Sequence, residues 1–192
     1  MAAKIAEHIT QKLIMESIIE EGERELYCYG FFLLTTRLFF FLVTIATGLI
    51  TCALLESILF YMVFMLLRTY AGGAHAKTET ACTILTTLAL AVSVFGIKAM
   101  ELANNDLISR LMLTVGSLCI FIFSPLDTKD KPLTNQEKSY YRTICYILIS
   151  LCIAISTIAQ ILQINIVNYS VACGIFLEGI LLSIGKFCIP KD

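Results

Sequence analysis

The chain contains no tryptophan, and only 15% of its 192 residues are charged. Set against 58% hydrophobic residues and a mean hydropathy of +0.83, that scarcity of charge excludes an ordinary soluble globular domain and points to a membrane protein. A basic excess is also lacking: the net charge is -1 and the pI about 6.1, which argues against nucleic acid as a partner. There is no CxxC pair of the metal-binding kind and no GxSxG elbow, so neither a structural zinc site nor a Ser-His-Asp hydrolase is expected. Histidine is nearly absent, being confined to His8 and His75. No inverted repeat or pair of broken helices of the transporter type is visible.

What is present in number is cysteine. Seven of the eight, Cys28, Cys52, Cys119, Cys145, Cys152, Cys173 and Cys188, lie in or beside apolar runs and read as small buried hydrophobes whose protonated thiols are inert. Cys82 differs in its neighbourhood.

A helix needs roughly 20 mainly apolar residues to cross a hydrocarbon core about 30 Å thick. Six segments approach that length, 29–50, 52–67, 80–99, 107–124, 143–162 and 166–187, the second being the shortest. The first 26 residues carry Lys4, Glu7, Lys12, Glu16 and a charged cluster from Glu20 to Glu25, which excludes an apolar signal-peptide core. Within them Ala2, Ile5, Ala6, Ile9 and Leu13 fall on one helical stripe, as in a helix lying on the membrane or docked on the bundle. The expected fold is all-α: one integral membrane domain over 1–192, with an N-terminal amphipathic, interfacial helix in 1–27 and a bundle of about six transmembrane helices in 28–188.

Lys and Arg near membrane spans stay on the cytoplasmic side. With the N-terminus inside, Lys4, Lys12, Arg24, Arg68, Lys77, Lys129, Lys131, Lys138, Arg142, Lys186 and Lys191 fall inside, Lys98 and Arg110 outside, and Arg37 within the first span. Both termini are therefore expected to be cytoplasmic. Arg37, Glu56 and Glu178 lie inside spans, where an ionisable residue needs a partner. Arg37 and Glu178 stand at matching depth, roughly 12 Å from the cytoplasmic ends of their spans, and an ion pair between them is expected.

Chemistry concentrates between the second and third spans, where Arg68 to Cys82 reads RTYAGGAHAKTETAC. Gly72 and Gly73 allow a sharp turn and end the preceding helix. A cysteine nucleophile needs a base to take its proton, and His75 is the histidine nearest Cys82 in the chain. On one continuous helix the two would share a face yet stand about 10.5 Å apart, too far for a hydrogen bond. The pairing therefore requires a break in the helix, and the glycine pair supplies a place for one. A histidine in a loop followed by a cysteine at a helix start, neither with a role, fits the same spacing.

This stretch resembles the signature of the accessory gene regulator protein B (AgrB) family, the membrane peptidases of Gram-positive peptide quorum sensing. Ser124 to Leu133, reading SPLDTKDKPL, is similar to that family's second recurring segment, although Asp130 stands where the family commonly has Asn. The resemblance implies a cysteine endopeptidase of the cell membrane, with His75 and Cys82 as the catalytic pair and Arg68 and Gly73 supporting the site. Its expected partner is an AgrD-like propeptide, cut at the cytoplasmic face through a Cys82 thioester and closed into a thiolactone or lactone signal. No cofactor or metal is implied. Gly72 belongs to the same turn; Glu79 and Asp127 are candidates to orient His75. Lys129 and Lys131, with Lys138 and Arg142, form a basic inner loop suited to anionic lipid or an acidic peptide tail. Homodimerisation is a further implication of the resemblance, to which the scattered small residues add nothing. A competing reading is a small transporter or channel with Arg37, Glu56 and Glu178 lining a path. A membrane scaffold without chemistry is another.

Overall fold

The computed structural model describes residues 2–73, 78–104, 106–126 and 133–187, apart from the side chain of Glu79. Every regular element among them is helical: α1 (Ala2–Met15), a 3-10 turn (Glu21–Glu23), α2 (Arg24–Ile50), α3 (Leu54–Ala71), α4 (Glu79–Ala103), α5 (Asp106–Phe123), α6 (Asn135–Ile161) and α7 (Asn165–Phe187). Six of these, α2 to α7, are long and apolar enough to cross a membrane, so this is a multi-pass membrane protein. The chain divides into two compact units, Met1–Val43 and Thr44–Asp192, and α2 runs through the boundary.

In the first unit, Arg24 at the start of α2 reaches Glu7 of α1 at 3.4 Å, with both side chains well exposed. On α1 the buried residues are Ala6 and Thr10, whereas Ile5, assigned to the apolar stripe, is exposed.

The second unit is built around α7. In its most apolar window 61% of the residues are buried, against 39% for α3 and less for the other spans. Small residues make that possible. A Cβ on Gly116 of α5 would lie 2.7 Å from the Ile175 carbonyl oxygen of α7, and one on Gly179 of α7 would lie 2.8 Å from the Gly116 carbonyl oxygen. On another side of α7, a Cβ on Gly174 would stand 3.0 Å from Val63 of α3. The backbones therefore approach as closely as glycine allows, and close packing holds membrane helices together where lipid is as apolar as leucine. Leu67, Ala71, Ile120, Cys145, Ile149, Val171, Ile175 and Leu182 form the core between α3, α5, α6 and α7. Asn168 of α7 adds a polar link, donating to Ser109 of α5 at 3.0 Å and accepting from Ser156 of α6 at 2.7 Å.

Helix ends follow local chemistry. Thr134 caps α6 in a reciprocal box, its hydroxyl accepting from the Glu137 amide at 3.3 Å while Glu137 Oε2 accepts from the Thr134 amide at 2.8 Å. α3 runs to Ala71 and stops at Gly72, where φ is 81°. The expected end at residue 67 falls short because Arg68, Thr69 and Tyr70 leave the apolar run without leaving the helix. α6 likewise starts at Asn135, eight residues ahead of the expected 143, since its first two turns are polar.

Candidate active site

Arg68 occupies the last turn of α3. Its Nη1 stands 3.8 Å from Oε2 of Glu178 on α7, whose side chain has no exposure at all. The same nitrogen donates to the Gly72 carbonyl oxygen at 3.2 Å, and the Gly72 amide donates back to the Arg68 carbonyl at 3.3 Å. A Cβ on Gly73 (φ 149°) would collide with the guanidinium, so no larger residue fits there while Arg68 keeps this position. Gly72 is hemmed in from the other side: its Cβ would lie 2.7 Å from the Leu126 carbonyl oxygen.

Leu126 also donates its amide to the Ala71 carbonyl at 2.8 Å. The segment after α5 is thus fastened to the end of α3, which brings together the starts of the two motif stretches, Arg68–Gly73 and Ser124–Leu126. Tyr70 of α3 meets Tyr141 of α6 edge to face, with ring centroids 6.0 Å apart, so the first part of α6 closes on the same end of the unit.

Cys82 lies in the first turn of α4, partly exposed. Thr78 caps this helix; its hydroxyl accepts from the Ala81 amide at 3.2 Å and its carbonyl from the Cys82 amide at 3.0 Å. A first-turn position places Cys82 at the positive end of the helix dipole, where negative charge is stabilised. Of the other described cysteines only Cys145 and Cys173 are buried as expected, the Cys173 thiol donating to the Ser93 carbonyl at 3.6 Å. Cys28, Cys119 and Cys152 are partly exposed and Cys52, in the turn after α2, is exposed, so position at a helix start rather than exposure sets Cys82 apart.

Of the residues the sequence singles out, Arg68, Gly72 and Gly73 come together in one turn and Cys82 stands at the start of the next helix. His75, Asp127, Lys129 and Lys131 lie outside the described residues, as does the side chain of Glu79. The glycine pair does separate two helices, since α3 ends at Ala71 and α4 begins at Glu79. Glu178 has a neighbour that the sequence did not announce. Matching depth points to Arg37, which belongs to the other unit; within its own unit the cation found at the Glu178 carboxylate is Arg68. Depth counted from span ends assumes that all helices end at one level, and α3, with 18 residues, is shorter than the 23-residue α7. A buried carboxylate on one helix and a long basic side chain at the end of a short neighbour was the signal available. Glu56, the third intramembrane charge, is buried in the first turn of α3, about 18 Å along the axis from Arg68.

The sequence model of one family, accessory gene regulator B, matches residues 3–182. AgrB-like protein 2 of Clostridium perfringens (strain 13 / Type A) is 28% identical over 143 residues, covering 72% of this chain and 67% of that protein. An AgrB-like protein of Listeria innocua is 28% identical over 111 residues, or 57% of this chain and 52% of its own. Accessory gene regulator protein B of Staphylococcus intermedius is 26% identical over 96 residues, half of each chain. All three organisms are Gram-positive. No solved structure matches.

Proposed function

Because the chain belongs to the accessory gene regulator B family, we propose that it is a membrane cysteine endopeptidase that cuts an AgrD-like propeptide at the cytoplasmic face and closes the product into a ring. The observation that carries this reading is the position of Cys82: a partly exposed thiol in the capped first turn of α4, seven residues after the single histidine of the motif stretch.

In the proposed route His75 takes the Cys82 proton and the thiolate attacks one backbone carbonyl of the propeptide. The amides of Glu79 and Thr80, at the start of α4, are the proposed donors to the oxyanion, because first-turn amides have no acceptor within their own helix. Collapse of the intermediate breaks the C–N bond, and the imidazolium returns its proton to the departing amine. The acyl group stays on Cys82 as a thioester, which keeps its carbonyl activated. A thiol or hydroxyl of the propeptide then attacks that carbonyl, gives up its proton to His75 and expels the Cys82 thiolate, closing a thiolactone or lactone. Exchange of thioester for thiolactone is nearly isoenergetic, so ring closure outruns hydrolysis only where water is excluded and the tail is pre-positioned. The missing side chains of Gly72 and Gly73 make room for Leu126 and the Arg68 guanidinium, which fix the turn leading toward His75. Lys129 and Lys131, with Lys138 and Arg142, attract anionic lipid or an acidic tail.

The test is co-expression with the propeptide encoded beside the gene. Cys82→Ala and His75→Ala are each expected to abolish cleavage, whereas replacing any other cysteine leaves it in place. A correctly inserted Cys82→Ala variant that still cuts would overturn the reading, and a transporter or scaffold role would take its place.

A further inference from the structure

We infer that Glu178 is a positioning residue for the reaction, acting through Arg68 on the turn that leads into His75; this rests on the peptidase reading above. A fully buried carboxylate is costly unless a cation and hydrogen bonds replace its water. Neither oxygen of Glu178 accepts a hydrogen bond from a described residue, which leaves the Arg68 guanidinium, 3.8 Å away, to offset the charge. That guanidinium has a second task. Its Nη1, the nitrogen facing Glu178, also holds the Gly72 carbonyl, and its bulk fills the space a Cβ on Gly73 would need. An arginine at a helix end ordinarily extends toward the membrane surface. Here the acid on α7 draws it inward across the turn, so the path of the backbone at 72 and 73 depends on a charge carried by another helix. His75 follows two residues later in the chain. Glu178 therefore touches no reacting atom, but sets the entry to the segment that carries the proposed base.

The experiment compares wild type, Glu178→Gln, Glu178→Asp and Arg68→Lys, reconstituted in lipid vesicles, with the propeptide as substrate. Glu178→Gln keeps the volume and removes the charge. It is expected to lower kcat about tenfold or more while KM stays within about twofold, the pattern of an interaction that matters to the chemical step rather than to binding. Glu178→Asp, which restores the charge one methylene short, is expected to recover part of kcat. A readout without substrate accompanies these: iodoacetamide labelling of Cys82 at fixed pH, followed by peptide mass spectrometry, slows in Glu178→Gln as it does in His75→Ala. A folded Glu178→Gln with unchanged kcat and unchanged Cys82 labelling would overturn the inference. So would a loss confined to KM, or one traced wholly to less folded protein. Where Gln at 178 prevents folding, the Asp and Lys variants decide: wild-type kcat in both sinks the idea. Failure of the peptidase reading itself is seen separately, as cleavage that survives Cys82→Ala.

Discussion

At Asn168 both ends of one side-chain amide are in use, tying α7 to α5 and α6 in a region with no exposure. Replacement by Leu keeps the size and removes both bonds. Ser109 still donates to the Asp106 carbonyl, so only Ser156 must find a new acceptor. The expected cost of Asn168→Leu is about 1 kcal/mol, within the range measured for polar contacts between membrane helices. For a protein of this size that is a fall of roughly 2–4 °C in Tm, measurable by thermal unfolding in detergent; an unchanged Tm would mean that the link carries no stability. Residue-scale facts of this kind were poorly legible in the sequence. That Cys82 would stand at a helix start, with a break before it, could be read from Gly72 and Gly73. That Arg68 would meet Glu178 was harder to read, because the pairing depends on how far α3 reaches beside α7.

Between elements, the contact of α5 with α7 is set by the absence of side chains. Gly116→Ala would put a methyl 2.7 Å from two backbone atoms of α7, which cannot swing aside as a flexible side chain would. The helices must part, at an expected cost of about 1–3 kcal/mol, the usual range for overpacking. Gly96→Ala, on α4, is the matched control: nothing lies within 4 Å of its Cβ position, and alanine there should be neutral or stabilising by up to about 1 kcal/mol. Equal melting temperatures for the two variants would refute the packing argument. The helix limits were legible wherever a residue type announces them, as Gly72 does for α3. They were illegible at Cys52 and Gln163, which end α2 and α6 in the left-handed conformation (φ 52° and 57°) that glycine usually supplies. There the amides of Ala53 and Ile164 close onto the Gly48 and Ala159 carbonyls at 2.8 Å, and the rest of the turn holds a residue that disfavours the shape.

For the whole molecule, the distribution of Lys and Arg predicts that the termini and the loops carrying His75 and Lys129 face the cytoplasm, while residues near Asn104 face outward. Single-cysteine labelling with a membrane-impermeant maleimide should mark position 104 in intact cells and position 75 only after lysis. Labelling of position 75 from outside would reverse the topology and the proposed site of cleavage with it. Six spans were legible from hydropathy, but which of them lies innermost was not, because all six are apolar. The clue was composition. Asn168, Ser170, Gly174, Glu178 and Gly179 give α7 polar or small groups on several sides, and such a helix belongs inside a bundle. Its place in the chain has a consequence for biosynthesis. Ribosomes deliver a polypeptide N-terminus first, at about 5–20 residues per second, and α7 leaves the ribosome after every helix it organises. Until it does, Gly116 has no backbone to rest against and Arg68 has no acid to draw it inward. The earlier helices can already meet one another, as α3 does Leu126 and Tyr141, but the turn before His75 gains its last support when the helix bearing Glu178 arrives.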